Sequence, residues 1–116
     1  MGIKLFDSEL KVMEVLWKDG DLPAKRICEI LGASINWNKN TTYTVIKKCV
    51  EKKAIERREP DFICHALVKK DDIQNIEVDD LINKMFDGSS DLLFSSLIGR
   101  KKISRDVLEQ LKKLLE

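Results

Sequence analysis

The chain has 116 residues, 43% of them hydrophobic and 35% charged, and carries a formal net charge of +1. That length and balance describe one compact domain, or a small domain with a helical appendage, and exclude a disordered chain. It holds no long apolar run and no signal peptide, so no membrane insertion is expected and the chain is assigned to the cytoplasm.

The charge is unevenly spread. Residues 1–70 hold 14 Lys and Arg against 10 Asp and Glu, whereas residues 71–116 hold 7 against 10. Between Asn38 and Arg58 seven basic residues face two acidic ones, a local excess suited to a polyanion.

In chain order, Asp7-Ser8-Glu9-Leu10 predicts a helix start, with Asp7 or Ser8 as cap and Glu9 at the positive end of the dipole. Leu10, Met13, Leu16 and Trp17 form its apolar stripe, and Lys18-Asp19-Gly20-Asp21 ends it. Leu22-Pro23 predicts the start of a second helix, with Pro23 at its first position, Ile27, Ile30 and Leu31 inward, and Gly32 as its stop. Asn38 or Asn40 then caps a third helix. Its inner stripe is Thr42, Val45, Ile46, Cys49 and Val50, at offsets 0, 3, 4, 7 and 8. Lys39, Thr41, Tyr43, Thr44, Lys47, Lys48 and Lys52 fall on the opposite face. Ala54 to Arg58 and Phe62 to Leu67, joined by Glu59-Pro60-Asp61, read as a hairpin.

Three helices followed by a hairpin, the third helix basic, is the order of a winged helix-turn-helix. The expected fold is therefore mainly α with a small β-hairpin wing over residues 1–70, followed by a three-helix region over 71–116. The tail helices are read from Ile73, Ile76, Leu81, Ile82, Met85 and Phe86, from Leu92 to Ile98, and from Ser104 onward with Val107, Leu108, Leu111, Leu114 and Leu115. A tail of this size cannot bury so many apolar residues alone. A second copy related by a two-fold axis is the expected cover, with Leu81, Met85, Phe86, Leu93, Phe94, Leu97, Leu108, Leu111 and Leu115 as the dimerisation residues.

The third helix combines poor helix formers with lysines. Threonines and a tyrosine cost a few tenths of a kcal/mol each in a helix, small beside the roughly 1–3 kcal/mol that one good base contact supplies. A helix of this kind fits the major groove. Threonine offers a hydroxyl and a methyl, tyrosine a hydroxyl and a ring, and lysine a charge for phosphate. Lys39, Asn40, Thr41, Tyr43, Thr44, Lys47 and Lys48 are the expected DNA-binding residues, with Arg57 and Arg58 reaching the backbone from the wing. If dimeric, the chain is expected to occupy an inverted-repeat operator. The alternative is a winged helix that meets an acidic protein partner and has no operator.

Cys28, Cys49, Cys64 and His65 lack ligand spacing and read as packing residues, not as a metal site. His65 falls on the opposite strand face from Cys64, and no cofactor motif is present. Trp17 and Trp37 read as packing residues too. The expectation is a non-enzyme.

Two segments carry a family resemblance: Glu9-Leu10-Lys11-Val12-Met13-Glu14-Val15-Leu16-Trp17 and Trp37-Asn38-Lys39-Asn40-Thr41-Thr42-Tyr43-Thr44. With Ile82-Asn83-Lys84-Met85-Phe86-Asp87-Gly88 and the helix from Ser104 to Leu115, they make the chain similar to the penicillinase and methicillin-resistance repressors. The resemblance implies a winged-helix homodimer that represses genes at palindromic operators. It carries Lys39, Thr41, Tyr43 and Thr44 onto positions used toward DNA. Tyr43 replaces a basic residue there, and Lys53 replaces a glycine that closes the helix. Antibiotic-responsive members answer to a membrane sensor through cleavage of an Asn-Phe bond in the middle tail helix. Here that position is Ser96-Leu97, so the cleavage site is not matched. The C-x-C motif of copper-responsive members is not present either.

Overall fold

A computed structural model describes residues 3–115, excluding the side chains at 111, 112, 114 and 115 in the last helix. Its elements run α1 (Asp7–Asp19), β1 (Leu22–Pro23), α2 (Ala24–Ile35), α3 (Lys39–Glu51), β2 (Ile55–Arg58), β3 (Ile63–Ala66), α4 (Lys70–Met85), α5 (Ser90–Gly99) and α6 (Arg105–Leu115). They form two compact units, one reaching Ile76 and one beginning at Glu77.

In the first unit α1 buries Val12, Met13, Val15 and Leu16, a wider arc than the stripe read from sequence; Leu10 and Trp17 are only half-buried. The arc is wide because α2, α3 and β3 all pack on this helix. Neither Asp7 nor Ser8 caps it. The cap is Phe6, whose amide donates to Glu9 Oε1 at 2.7 Å. Trp17 donates its indole N–H to the Val68 carbonyl at 3.0 Å, tying α1 to the segment after the sheet.

The second helix departs from expectation at both ends. Leu22-Pro23 is a strand, pairing antiparallel with Ile63-Cys64, and α2 starts only at Ala24. A proline fits there because an edge strand does not need its amide. The first free amide of α2, that of Ala24, donates to the Phe62 carbonyl at 3.0 Å. Gly32 lies inside α2, and Asn36 closes the helix at φ +60. Asparagine tolerates this left-handed conformation better than most residues.

The expected hairpin is thus two strands of a three-stranded antiparallel sheet in the order β1-β3-β2. Its register sets Ile55 against Ala66 and Arg57 against Cys64. Ala54, Ile55 and Cys64 join Ile27, Leu31, Val45, Ile46 and Cys49 in the core. Ile73 in α4 is buried there as well, so the first turns of α4 belong to this unit. The unit therefore ends beyond residue 70, the boundary read from sequence.

Lys53 closes α3 at φ +64, with the Ala54 amide donating to the Cys49 carbonyl at 2.9 Å. A side chain in that conformation costs about 1 kcal/mol relative to glycine. Lys53→Gly is expected to raise the stability of the first unit by about that amount, a gain of roughly 4–8 °C in Tm by circular dichroism.

The second unit is all helix. Asp87 and Gly88, at φ +51 and +75, end the preceding turn. Ser89 Oγ accepts from the Leu92 amide at 3.3 Å to cap α5, and Ser104 Oγ accepts from the Val107 amide at 3.2 Å to cap α6. None of its described side chains is fully buried. Leu81, Met85 and Phe94 are exposed, while Phe86, Leu93, Leu97 and Leu108 are half-buried. The expected contacts at Leu111 and Leu115 lie outside the described side chains. No helix among the described residues is long and apolar enough to cross a membrane.

Candidate nucleic-acid interface

The third helix starts where its side chains dictate. Asn38 Oδ1 accepts from the Thr41 amide at 2.8 Å, satisfying one of the four free donors of the first turn. Thr42 is fully buried, and its hydroxyl donates to the Asn38 carbonyl at 3.2 Å. Thr44 Oγ1 donates likewise to the Asn40 carbonyl at 2.8 Å. These bonds to the preceding turn let threonine sit in a helix without an unsatisfied hydroxyl. Thr44 remains exposed despite this bond.

Val45, Ile46 and Cys49 are buried with Thr42, while Val50 is half-buried. The face opposite presents Lys39, Asn40, Thr41, Thr44, Lys47 and Lys48, all exposed. A shallow depression of about 390 Å³ runs along it, lined by Asn38, Asn40, Thr41, Thr44, Val45 and Lys48. Among the described residues neither Lys47 nor Lys48 pairs with a carboxylate. Both are exposed, so an anion meets two charges that surrender no carboxylate partner among the described residues.

Two residues expected on this face are placed differently. Lys52 turns away to Glu9 Oε1 at 2.6 Å and the Lys4 carbonyl at 2.9 Å, with its ammonium 3.9 Å from the Phe6 ring centroid. It is a structural ion, not a free cation. Tyr43 is half-buried. Its ring meets Phe62 edge-on, 6.0 Å between centroids, and Lys39 Nζ stands 5.8 Å from its centroid. Tyr43 thus joins α3 to the turn between β2 and β3.

The two arginines of β2 are exposed but engaged. Arg57 Nε donates to Glu59 Oε1, and its guanidinium carbon lies 3.8 Å from the Phe62 ring centroid. Arg58 Nε donates to Glu56 Oε1 at 2.5 Å, and Arg58 Nη1 lies 3.5 Å from Asp21 Oδ2. Surface pairs of this kind are worth only about 0–1 kcal/mol each. A phosphate can therefore displace Glu56 or Glu59 at little cost. Phe62 had no distinguishing signal in sequence beyond following Pro60-Asp61; only the fold reveals its place between Tyr43 and Arg57.

Cys49 and Cys64 lie in the core, where burial pushes their thiols up to about 12 and about 11. Burial also raises the thiol of Cys28. All three stay protonated at neutral pH, a form that serves packing and disfavours nucleophilic attack. His65 faces away from Cys64, its Nδ1 2.8 Å from Asp21 Oδ1.

The fold has a known counterpart. The solution structure of the DNA binding domain of the repressor BlaI superposes with a TM-score of 0.56 at 22% identity, covering 60% of this chain and 88% of that one. The methicillin resistance regulatory proteins MecI of Mammaliicoccus sciuri and of Staphylococcus aureus strain N315 are each 25% identical over 114 residues, 97% of this chain and 93% of theirs. The sequence model of the penicillinase repressors matches residues 5–116, nearly the full length. The chain belongs to the penicillinase repressor family, a family of winged-helix repressors and not of enzymes.

Proposed function

We propose that this protein is a cytoplasmic transcriptional repressor that binds an inverted-repeat operator as a homodimer, each α3 lying in a major groove. One observation carries the reading: α3 exposes Lys39, Asn40, Thr41, Thr44, Lys47 and Lys48 side by side, with Lys47 and Lys48 free of carboxylate partners among the described residues. An α-helix fits the major groove, where threonine and asparagine meet base edges and lysine meets phosphate or guanine. Arg57 and Arg58 reach the flanking backbone from the wing. Membership of a repressor family supports the same class.

The second unit supports the homodimer. It buries no described side chain fully, yet leaves Leu81, Met85, Leu92, Phe94 and Ile98 exposed. A matching face on a second copy covers such residues with the two-fold symmetry that soluble oligomers favour.

Selection from a random-sequence duplex pool with the full chain tests the reading. Enrichment of an inverted repeat, its half-sites about one helical turn apart, is the expected result. A pool that stays unenriched after repeated rounds contradicts it. The dimer has its own test in the variant Met85→Asp/Phe94→Asp, which places two charges among side chains 66% and 42% exposed. Sedimentation is expected to give two chains for the parent and one for the variant. The variant's operator affinity is expected to fall about 100-fold, because the half-sites no longer bind as a linked pair. A parent that sediments as one chain at micromolar concentration contradicts the homodimer.

A further inference from the structure

Phe62 has a backbone that its side chain does not favour. Its φ is +52, and Asp61 before it is at +72. A bulky residue enters this left-handed region only when the surroundings hold it there, and such outliers gather where geometry serves a function. Three ties hold this one. The Phe62 carbonyl accepts from the Ala24 amide at 3.0 Å, at the start of α2. The ring takes the edge of Tyr43 from α3, the planes 61° apart. The Arg57 guanidinium lies over the ring, 3.8 Å from its centroid. One residue therefore links both helices of the helix-turn-helix to the first strand of the wing.

Beside this stack a cleft of about 240 Å³ separates α3 from the wing, lined by Lys47, Val50, Glu51, Arg57 and Phe62. Its lining includes one cation from α3, Lys47, and one from the wing, Arg57, together with the apolar Val50 and Phe62. Arg57 spends its Nε on Glu59, which leaves other guanidinium N–H groups to donate. The planar fork suits phosphate oxygens, and stacking on a ring fixes the plane of that fork. Glu51 opposes an anion at the same place, so one cation alone is a weak hold and the pair is needed.

We propose that Phe62 is a positioning residue: it holds Arg57 across the cleft from Lys47, so that one phosphate of a DNA strand is bridged between α3 and the wing. The inference rests on the DNA-binding reading above. It makes the strained turn a device that sets the wing's distance from α3 before DNA arrives.

The test uses the full chain, a duplex enriched from the random pool, and anisotropy titrations over a salt series. Phe62→Leu, Arg57→Ala and the double variant are compared with the parent. Each single variant is expected to bind about tenfold more weakly, with a log–log salt slope shallower by about 0.9, the loss of one phosphate contact. The double variant is expected to bind no more weakly than either single one, because both remove the same bridge. Phe62→Gly separates positioning from folding. It relieves the backbone at φ +52, so its Tm is expected to match or exceed that of Phe62→Leu, while its loss of affinity and slope is the same. A residue that serves only folding would lower affinity in step with Tm and leave the salt slope unchanged; that result, or additive losses in the double variant, overturns the inference. A parent that binds enriched and shuffled duplexes equally defeats the DNA-binding reading itself, and the inference falls with it.

Discussion

Lys52→Met is expected to lower the unfolding free energy of the first unit by about 3 kcal/mol and its Tm by roughly 10–20 °C. Glu9 is 1% exposed. Its Oε1 accepts from Lys52 Nζ at 2.6 Å and from the Phe6 amide at 2.7 Å, while its buried Oε2 has no hydrogen-bond partner. Removing the ammonium leaves a carboxylate without its counter-charge in the core, and breaking a buried pair in this way costs about 3–5 kcal/mol. The lower end applies because the Lys52 side chain keeps 29% of its surface. Glu9→Met combined with Lys52→Met is expected to recover most of the loss, since apolar groups then replace both ions. Thermal denaturation of the singles and the double measures this directly. A loss below about 1 kcal/mol for Lys52→Met would mean that water reaches Glu9 and the pair behaves as a surface contact.

The other large effect falls on DNA. Lys47→Ala/Lys48→Ala is expected to weaken binding about 100-fold near physiological salt and to make the log–log salt slope shallower by about 1.8, two phosphate contacts fewer. The loss is expected on operator and shuffled duplexes alike, because phosphate contacts position a protein and carry no sequence information. Stability is expected to stay within about 0.5 kcal/mol of the parent, since both side chains are exposed and unpaired among the described residues. A double variant that loses only operator binding would mean that these lysines read bases, and the division of labour along α3 would have to be redrawn.

Much of the third helix was legible in sequence. Its apolar offsets identified Thr42, Val45, Ile46 and Cys49 as buried, with Val50 only half-buried, and of the two cap candidates, Asn38 and Asn40, Asn38 is the cap. The helices of the second unit were legible for the same reason, with a Gly or a capping serine at each break. What sequence hid depends on partners distant in the chain. Two residues have no period, so β1 became visible only through its pairing with β3. Gly32 was read as a stop because glycine often is one, but Asn36 takes the left-handed position and frees the helix to continue. Glu9 was read as an acid at the positive end of the helix dipole; its burial and its pairing with Lys52, which arrives from the far end of α3, involve partners distant in the chain.

The candidate DNA-binding face was legible in part. Exposure of Lys39, Asn40, Thr41, Thr44, Lys47 and Lys48 follows from helical spacing alone. The half-burial of Tyr43 follows instead from Phe62, which the turn brings against it. The engagement of Arg57 with Glu59 and of Arg58 with Glu56 was open to a closer reading, because residues two apart on an extended chain share a face.

The proposed protein recognises a DNA sequence as a pair of chains. Anisotropy of the full chain with its enriched duplex, a shuffled duplex as control and a salt series, tests this recognition most directly. Saturation at two chains per duplex is expected, with affinity for the enriched duplex at least about 1,000-fold above the shuffled one and a steep salt slope. Equal affinity for both duplexes, or saturation at one chain, would contradict it.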